Sequence, residues 1–544
     1  MRSSMENIAR EEAERQLTAK APTPALAALV SHLDTPQTVI PTCGISKSKF
    51  VAGLQCPKRL FLQVHQPHLA KLTDQGNKDQ GTAVGVLARN LFRGGVLVDA
   101  DKNHLADAIR LTQELVNNPE VPAIFEGAFR HDGVLVRVDV LLRSPKKDEF
   151  HLIEVKGSTT VKPDHLHDLS IQQYVLRGAG IQVKSSHLMH VNPDYVLDGD
   201  LDLLKLFLIE EIPSNRLLAR STVSGILNEQ YTMLVQPEPP NIETGSFCKS
   251  PYRCEFFDHC HPPPDVDDVR SLPISADKIR MLLHNGVTTV SELPTNIDLR
   301  LYWHFTEKQC SRINSARSAR KCGLAVGAKL QSELAAIKYP VCFIDFESVS
   351  PAVPKFRGMK PYEPIPIQWS VHRQAHQEGV LQHNAFLSPN ATEDPRRPFV
   401  ESLSKAVSGA SSIVVYGSYE NTQLSNLCRW FPEYDPQICS MQKKLVDLLR
   451  IVRENVYSPL FFGSYSIKRV LPVLVPTMSY QDLEVQSGIQ VASIWEQLSD
   501  ISMDNAEQAR LQARLRKTLL DYCARDTLAL AYLVGVLRRH GDSH

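Results

Sequence analysis

The 544-residue sequence contains no run of about 18 apolar side chains, so nothing in it reads as a membrane-spanning helix. The opening stretch, MRSSMENIAREEAERQLTAK, lacks the apolar core of an export signal, which leaves the cytoplasm as the expected compartment. There is no internal repeat and no low-complexity tract, which excludes a solenoid or fibrous architecture. A net charge is missing too: 60 Lys and Arg balance 60 Asp and Glu, so the global field says nothing about a polyanionic partner. Also missing is any pair of cysteines two to four residues apart, the usual signature of a structural zinc site, although there are 11 cysteines. In a reducing compartment those thiols point to metal binding before disulfides.

What is present is globular: 43% apolar and 22% charged residues, in a chain long enough for two to four domains. Residues 1–42 read as a short helix and a Pro/Thr-rich tether. Residues 43–264 mix helices with strands such as GVLVRVDVLLR and FHLIEVKG, and HPPPDVDD at 261–268 marks a boundary no helix or central strand crosses. Residues 265–335 read as a helical linker module, within which ISADKIRMLLHNGVTTVSELP suggests a helix, a glycine turn and a second helix. Between 296 and 330 it carries seven Lys/Arg against Asp298 and Glu307, and Arg317, Arg320 and Lys321 are candidate phosphate contacts. A second α/β unit occupies 336–544.

In the first unit, Asp139 interrupts the apolar strand VRVDVLLR, and Glu154 and Lys156 sit two apart in the next strand. Side chains alternate along a strand, so Glu154 and Lys156 share a face. Charges buried there must serve one another, a metal, or both. Two carboxylates and a lysine suit Mg²⁺ and a water that attacks a phosphodiester. With the downstream helix DLSIQQYVLRG, which supplies Gln172 and Tyr174, this unit resembles the RecB-like branch of the PD-(D/E)XK nucleases, including the CRISPR-associated iron–sulfur exonucleases. The resemblance implies a restriction-endonuclease-like fold in which Asp139 and Glu154 hold a metal and Lys156, Gln172 and Tyr174 complete the site. Relatives carry a metal-binding His in a G-x-x-x-H pattern. Here GTAVG ends in Gly85, leaving one ligand fewer or Glu126 of FEGAF in its stead.

Three cysteines follow in GSFCKSPYRCEFFDHC: Cys248, Cys254 and Cys260, spaced C-x₅-C-x₅-C. His259 or His261 could complete a zinc site. The same resemblance implies instead that Cys56, in the CPKRL context before the nuclease core, is the fourth ligand of a [4Fe–4S] cluster, as soft thiolates favour. Cys43 is the rival fourth thiol. Cys56 and Cys248 stand 192 positions apart, so a shared cluster would close a long loop and restrain the unfolded chain.

In the second unit, CFIDFES places Asp345 and Glu347 on one face of a strand. Two like charges about 4 Å apart repel by about 4 kcal/mol at an effective dielectric of 20, so such a strand expects a cation. Tyr522 and Asp526 lie i and i+4 on a helix in LLDYCARDTLALAYL, on one face. SSIVVYGSYENTQL runs from a strand into a helix that opens with Glu420. The order D-x-E, Y-E, Y-x-x-x-D resembles the DnaQ-like exonucleases of the DEDD class in their tyrosine form, except that Glu420 stands where Asp is usual. It implies an RNase H-like fold, two metals (Mg²⁺ or Mn²⁺) on Asp345, Glu347, Glu420 and Asp526, and Tyr522 orienting the attacking water. Lys468 and Arg469, on a helix after a glycine turn, are further candidate backbone contacts. As a whole the chain resembles a bacterial family that fuses these modules in this order. The expectation is a cytoplasmic nuclease with two metal-dependent sites acting on nucleic acid, DNA before RNA. The rivals are one live site with a clamp, or a zinc-holding scaffold.

Overall fold

The computed structural model describes residues 44–541, apart from 72–74, 100–103, 146–147, 263, 294, 296–297, 486 and 501–504. The expected N-terminal helix and tether, and Cys43, lie outside the described residues. The architecture is mixed α/β, with two mixed sheets flanked by helices.

The larger sheet has seven strands: β1 (Ile45–Ser46), β2 (Val96–Leu97), β3 (Ala123–His131), β4 (Val134–Arg143), β5 (Glu149–Lys156), β6 (Gln182–Val191) and β7 (Phe207–Ile212). Strands β2 to β7 lie side by side in chain order, and β1 pairs with β4 in parallel. β3 and β4 join through Asp132-Gly133, both with positive φ (47° and 73°), the backbone a two-residue hairpin turn demands. β5 and β6 run parallel, so a crossover helix must connect them, and it is the helix that carries Gln172. Around this sheet pack α1 (Lys47–Gln55), α2 (Pro57–His65), α3 (Gln75–Arg89) and the crossover helix α4 (Pro163–Gly178).

The 265–335 module is helical with one short strand, β8 (Ala325–Val326). The expected second helix after Gly286 is absent: 287–293 form turns, with Thr289 bridging to Asp268. The β-branched run Val-Thr-Thr-Val explains the difference, since such side chains lose rotamer freedom in a helix. Val287, Val290 and Leu293 are nevertheless buried.

The smaller sheet comprises β9 (Val341–Val349), β10 (Ile365–Gln374), β11 (Gln382–Leu387), β12 (Ser412–Val415) and β13 (Leu445–Asp447), in the order β11-β10-β9-β12-β13. β9 to β11 are antiparallel, whereas β9, β12 and β13 are parallel. Its helices include α5 (Tyr419–Trp430), α6 (Ile467–Leu474), α7 (Gly488–Asp500) and the 36-residue α8 (Ala506–Gly541). The segment between β9 and β10 reaches back to the N-terminal sheet. Leu197 exchanges backbone hydrogen bonds with Gly358 and Met359 (2.8 and 2.9 Å), and the Tyr362 hydroxyl donates to the carbonyl of Gly157. A Cβ at Gly157 would meet that hydroxyl at 3.1 Å, which explains the glycine. Ala352 is buried in one apolar cluster with Val84, Ile153 and Met189 of the N-terminal half. No helix among the described residues is long and apolar enough to cross a membrane.

Candidate functional site

Two acidic centres form, one on each sheet. In the C-terminal centre, β9 presents Asp345 and Glu347 on one face, opposite Ser370 and Gln368 of β10. The long helix α8 packs against β9 and β10 and brings Asp526, Tyr522 and Cys523 to them. One donor oxygen from each of Asp345, Glu347 and Asp526 lies within 4.8 Å of the others. Glu420 enters from the first turn of α5; it is 4% exposed, and its Oε2 is buried with no hydrogen-bond partner. An orphaned carboxylate oxygen of this kind is expensive unless something cationic faces it.

The electrostatics agree. Burial and the neighbouring carboxylates of Asp526, Glu347 and Glu420 hold Asp345 well above the ordinary carboxylate range. Burial, then Asp526, pushes Glu347 up to about 8 against the counter-pull of Lys468. Glu420 rises to about 7 and Asp526 to about 6, each chiefly through burial. Four carboxylates that resist ionising together could hold a cation. Mg²⁺ or Mn²⁺ fits this donor set, which is all oxygen and hard.

Around the carboxylates stand two tyrosines. Tyr480 donates its hydroxyl to Asp526 Oδ1 at 2.5 Å, and Lys468 Nζ donates to the Tyr522 hydroxyl at 3.0 Å. The Lys468 ammonium also lies 5.4 and 5.1 Å from the centroids of the Tyr480 and Tyr522 rings. The Cys523 thiol sits 3.4 Å from Asp345 Oδ2. Lys468, expected to meet phosphate, is thus engaged inside the centre, while Arg469 lies over the Phe462 ring.

In the N-terminal centre, the β4–β5 pairing brings Asp139 beside Glu154, and Asp139 Oδ2 accepts the Val155 N–H at 2.7 Å. Glu154 is 1% exposed, and both its oxygens are taken. Oε1 receives Lys47 Nζ at 2.7 Å and Lys156 Nζ at 2.9 Å, while Oε2 receives Gln172 Nε2 at 2.7 Å. Lys156 also bonds Asp168, one turn before Gln172 on α4. Although burial opposes it, the two lysines hold Glu154 well below the usual carboxylate range. Burial and the Glu154 charge push Asp139 up to about 7. Tyr174 does not join this group: its hydroxyl bonds the Asp132 carboxylate. Glu126 does not either. It has a left-handed backbone (φ 55°), and its carboxylate is paired with Arg89 at 2.9 Å. Gly85 lies on α3, and a Cβ added there would meet nothing within 4 Å.

Cys56, Cys248, Cys254 and Cys260 line one pocket, together with Lys58, Arg59, Leu62 and Phe256, and neither His259 nor His261 is among its lining. Cys56 is the N-cap residue of α2, which sets it at the mouth of this pocket. Burial alone would push Cys254 up to about 11, so a ligand that deprotonates it is needed for the thiols to act as donors. In the linker module, Arg320 pairs with Asp267 at 2.9 Å and Arg317 donates to the Leu293 carbonyl at 3.0 Å. The side chain of Lys321 lies outside the described residues.

Lys47, Asp168, Tyr480 and Cys523 belong to these centres without any motif in the sequence that marks them. Only Asp168 has a usable signal, since it stands i and i+4 to Gln172 on a helix.

A family model described as a domain of unknown function, DUF2779, matches residues 342–466, the stretch that holds Asp345, Glu347 and Glu420. "Uncharacterized protein MG366 homolog" of Mycoplasma pneumoniae is 25% identical over 228 residues, which are 39% of this chain and 34% of that protein. The chain therefore spans about a third of the length of the curated relative it matches. The solved structure titled "Crystal structure of SSO0001" is 16% identical and covers 43% of this chain and 92% of that one, with a TM-score of 0.23.

Proposed function

We propose that the chain is a metal-dependent nuclease whose hydrolytic centre is the C-terminal one, a 3′→5′ exonuclease of the DnaQ-like tyrosine type. The observation that carries this reading is the convergence of Asp345, Glu347 and Asp526 within 4.8 Å beside the orphaned, buried oxygen of Glu420. Asp345, Glu347, Glu420 and Asp526 would hold Mg²⁺ or Mn²⁺. Such a cation supplies Lewis acidity toward a phosphodiester and makes a water molecule easier to deprotonate. The chain's own groups do the positioning. Tyr480 fixes the Asp526 carboxylate by its hydroxyl bond. Lys468 fixes the Tyr522 hydroxyl by donating to one oxygen lone pair, leaving the O–H and the second lone pair to orient a water toward phosphorus. The substrate class is nucleic acid with free or single-stranded ends, DNA before RNA, in the cytoplasm.

The N-terminal centre belongs to this reading as the PD-(D/E)XK-like half, but its residues do not fit a divalent cation as they stand. Glu154 has no free oxygen, and no hydrolytic step is assigned to it. Its four-cysteine pocket fits an iron–sulfur cluster by donor chemistry: four thiols and no carboxylate in the lining, with Lys58 to balance an anionic core, while Arg59 is paired with Glu255 at 2.9 Å.

The test of the hydrolytic reading is degradation of end-labelled DNA and RNA with Mg²⁺ or Mn²⁺, comparing Asp345→Ala with Asp139→Ala. Loss of 3′-end trimming in Asp345→Ala alone supports it; trimming that survives Asp345→Ala sinks it. The cluster is tested by colour. Anaerobically purified protein is expected to be brown with near four irons per chain, and Cys56→Ser colourless. Colourless wild-type protein carrying stoichiometric zinc would overturn the cluster.

A further inference from the structure

We infer that Lys47 is a built-in counter-ion seated in the cation position of the N-terminal centre, which takes a divalent metal only when that ammonium withdraws. The inference rests on the metal-nuclease reading, because it explains why one centre of such an enzyme lacks a free carboxylate oxygen.

The charge count of the cluster is the first support. Asp139, Glu154 and Asp168 face Lys47 and Lys156, leaving one net negative charge when all are ionised. Removing Lys47 leaves two, the counter-charge of one divalent cation. Geometry is the second. Lys47 Nζ and Lys156 Nζ both donate to Glu154 Oε1, at 2.7 and 2.9 Å, and with Gln172 on Oε2 they occupy the oxygens a metal would use. Lys156 cannot vacate as readily, because Asp168 holds it from the other side. Lys47 has no such second anchor in its charge environment beyond the same cluster; its side chain is 23% exposed against 20% for Lys156, so the missing anchor and not exposure sets it apart.

The third support is where Lys47 comes from. It is not on the sheet that carries the carboxylates but is the first residue of α1. At the other end of that nine-residue helix, Gln55 donates to the carbonyls of Phe247 and Tyr252 in the cysteine loop, at 2.6 and 2.8 Å. Cys56 follows and lines the thiol pocket. A helix of nine residues is a rod of roughly 13.5 Å. The ammonium therefore sits at one end of a rigid element whose other end is fixed at the cysteines, and its placement on Glu154 is a property of the fold rather than of a wandering surface lysine.

The experiment counts Mn²⁺ bound to the full-length protein by the loss of the free-ion electron paramagnetic resonance signal. Wild type is expected to bind Mn²⁺ that Asp345→Asn removes. Lys47→Gln is expected to add Mn²⁺ binding at least tenfold tighter than any wild-type binding sensitive to Asp139→Asn, and the Lys47→Gln/Asp139→Asn double variant to lose it. Lys47→Arg keeps a cation in place and is expected to match wild type. All variants are first compared by thermal unfolding, and Lys47→Met replaces Lys47→Gln if the latter unfolds. An unchanged Mn²⁺ count and affinity in the neutral Lys47 variant overturns the inference. Failure of the underlying reading looks different: Mn²⁺ binding to wild type that Asp345→Asn does not alter.

Discussion

The two acidic centres solve the same electrostatic problem in opposite ways. Each buries carboxylates at the edge of a strand, where like charges repel and desolvation penalises ionisation. The N-terminal centre answers from within, with Lys47 and Lys156 on one oxygen of Glu154. The C-terminal centre has four carboxylates, and the cation felt at Glu347 and Asp526, Lys468, is bonded to a tyrosine hydroxyl instead. Four buried acids so weakly balanced from within are suited to an external cation. Strand geometry alone, D-x-E or E-x-K, does not distinguish the two cases; the partners do.

The comparison breaks most visibly if the wrong centre carries the activity. Asp345→Asn is expected to lower exonuclease turnover by more than the roughly 100-fold upper end of losses from outer-shell partners, since it removes a direct ligand. Asp139→Asn is expected to leave that rate within about twofold. Gel assays of 3′-end trimming check both.

Next in size is the pH dependence of metal-free stability. Folded Glu347 titrates near 8 and Glu420 near 7, above the 4.5 of an unfolded glutamate. Between about 4.5 and 8 the native state therefore holds protons that the unfolded chain has released, so stability present at low pH is lost as pH rises through that window. At one net proton the slope is about 1.4 kcal/mol per pH unit. Thermal unfolding in chelator from pH 6 to 8 is expected to show a falling midpoint. Saturating Mg²⁺ or Mn²⁺ flattens it, and Glu347→Gln lessens the fall above pH 7, where Asp345 still contributes. A flat metal-free profile contradicts the contrast.

Lys468→Met sharpens the comparison by removing one of the two cations felt by the C-terminal acids, the other being Arg525 at Asp526. Acting through Tyr522, it is expected to lower kcat by about 10- to 100-fold with KM little changed. A raised KM with unchanged kcat would instead return Lys468 to the phosphate backbone. Smallest is Gly85→His. It places an imidazole where a Cβ meets open space and replaces a mid-helix glycine. Stability is expected to rise by about 0.5 kcal/mol, with at most a severalfold gain in Mn²⁺ affinity at the N-terminal centre, because Lys47 still covers Glu154.

Much of this is legible in the residues. Asp139, Glu154 and Lys156, then Asp345 and Glu347, follow from period-two strands, and Tyr522 and Asp526 from helical spacing. Those rules are local, and the strands and helices form where they apply. The four cysteines also meet in one pocket despite their separation. What stays hidden is non-local or irregular. Lys47 reaches Glu154 across 107 positions, and Tyr480 arrives from a loop with no period at all. Tyr174 stands two residues after Gln172, so helical spacing turns it to another face, and its hydroxyl meets Asp132 instead of Glu154. The arginines of the linker read as a basic face, but Arg317 and Arg320 fasten the module's own turns.

The segment between β9 and β10 has a consequence in time as well as space. Ala352 and Tyr362 cover part of the N-terminal sheet, and Tyr362 seats itself on Gly157 just past Lys156. That cover leaves the ribosome about a hundred residues after the last cysteine of the N-terminal half. At ordinary rates of synthesis the delay is roughly 5–20 s. During it the first half waits with an apolar flank bare, and its sheet is covered only once the second is being made.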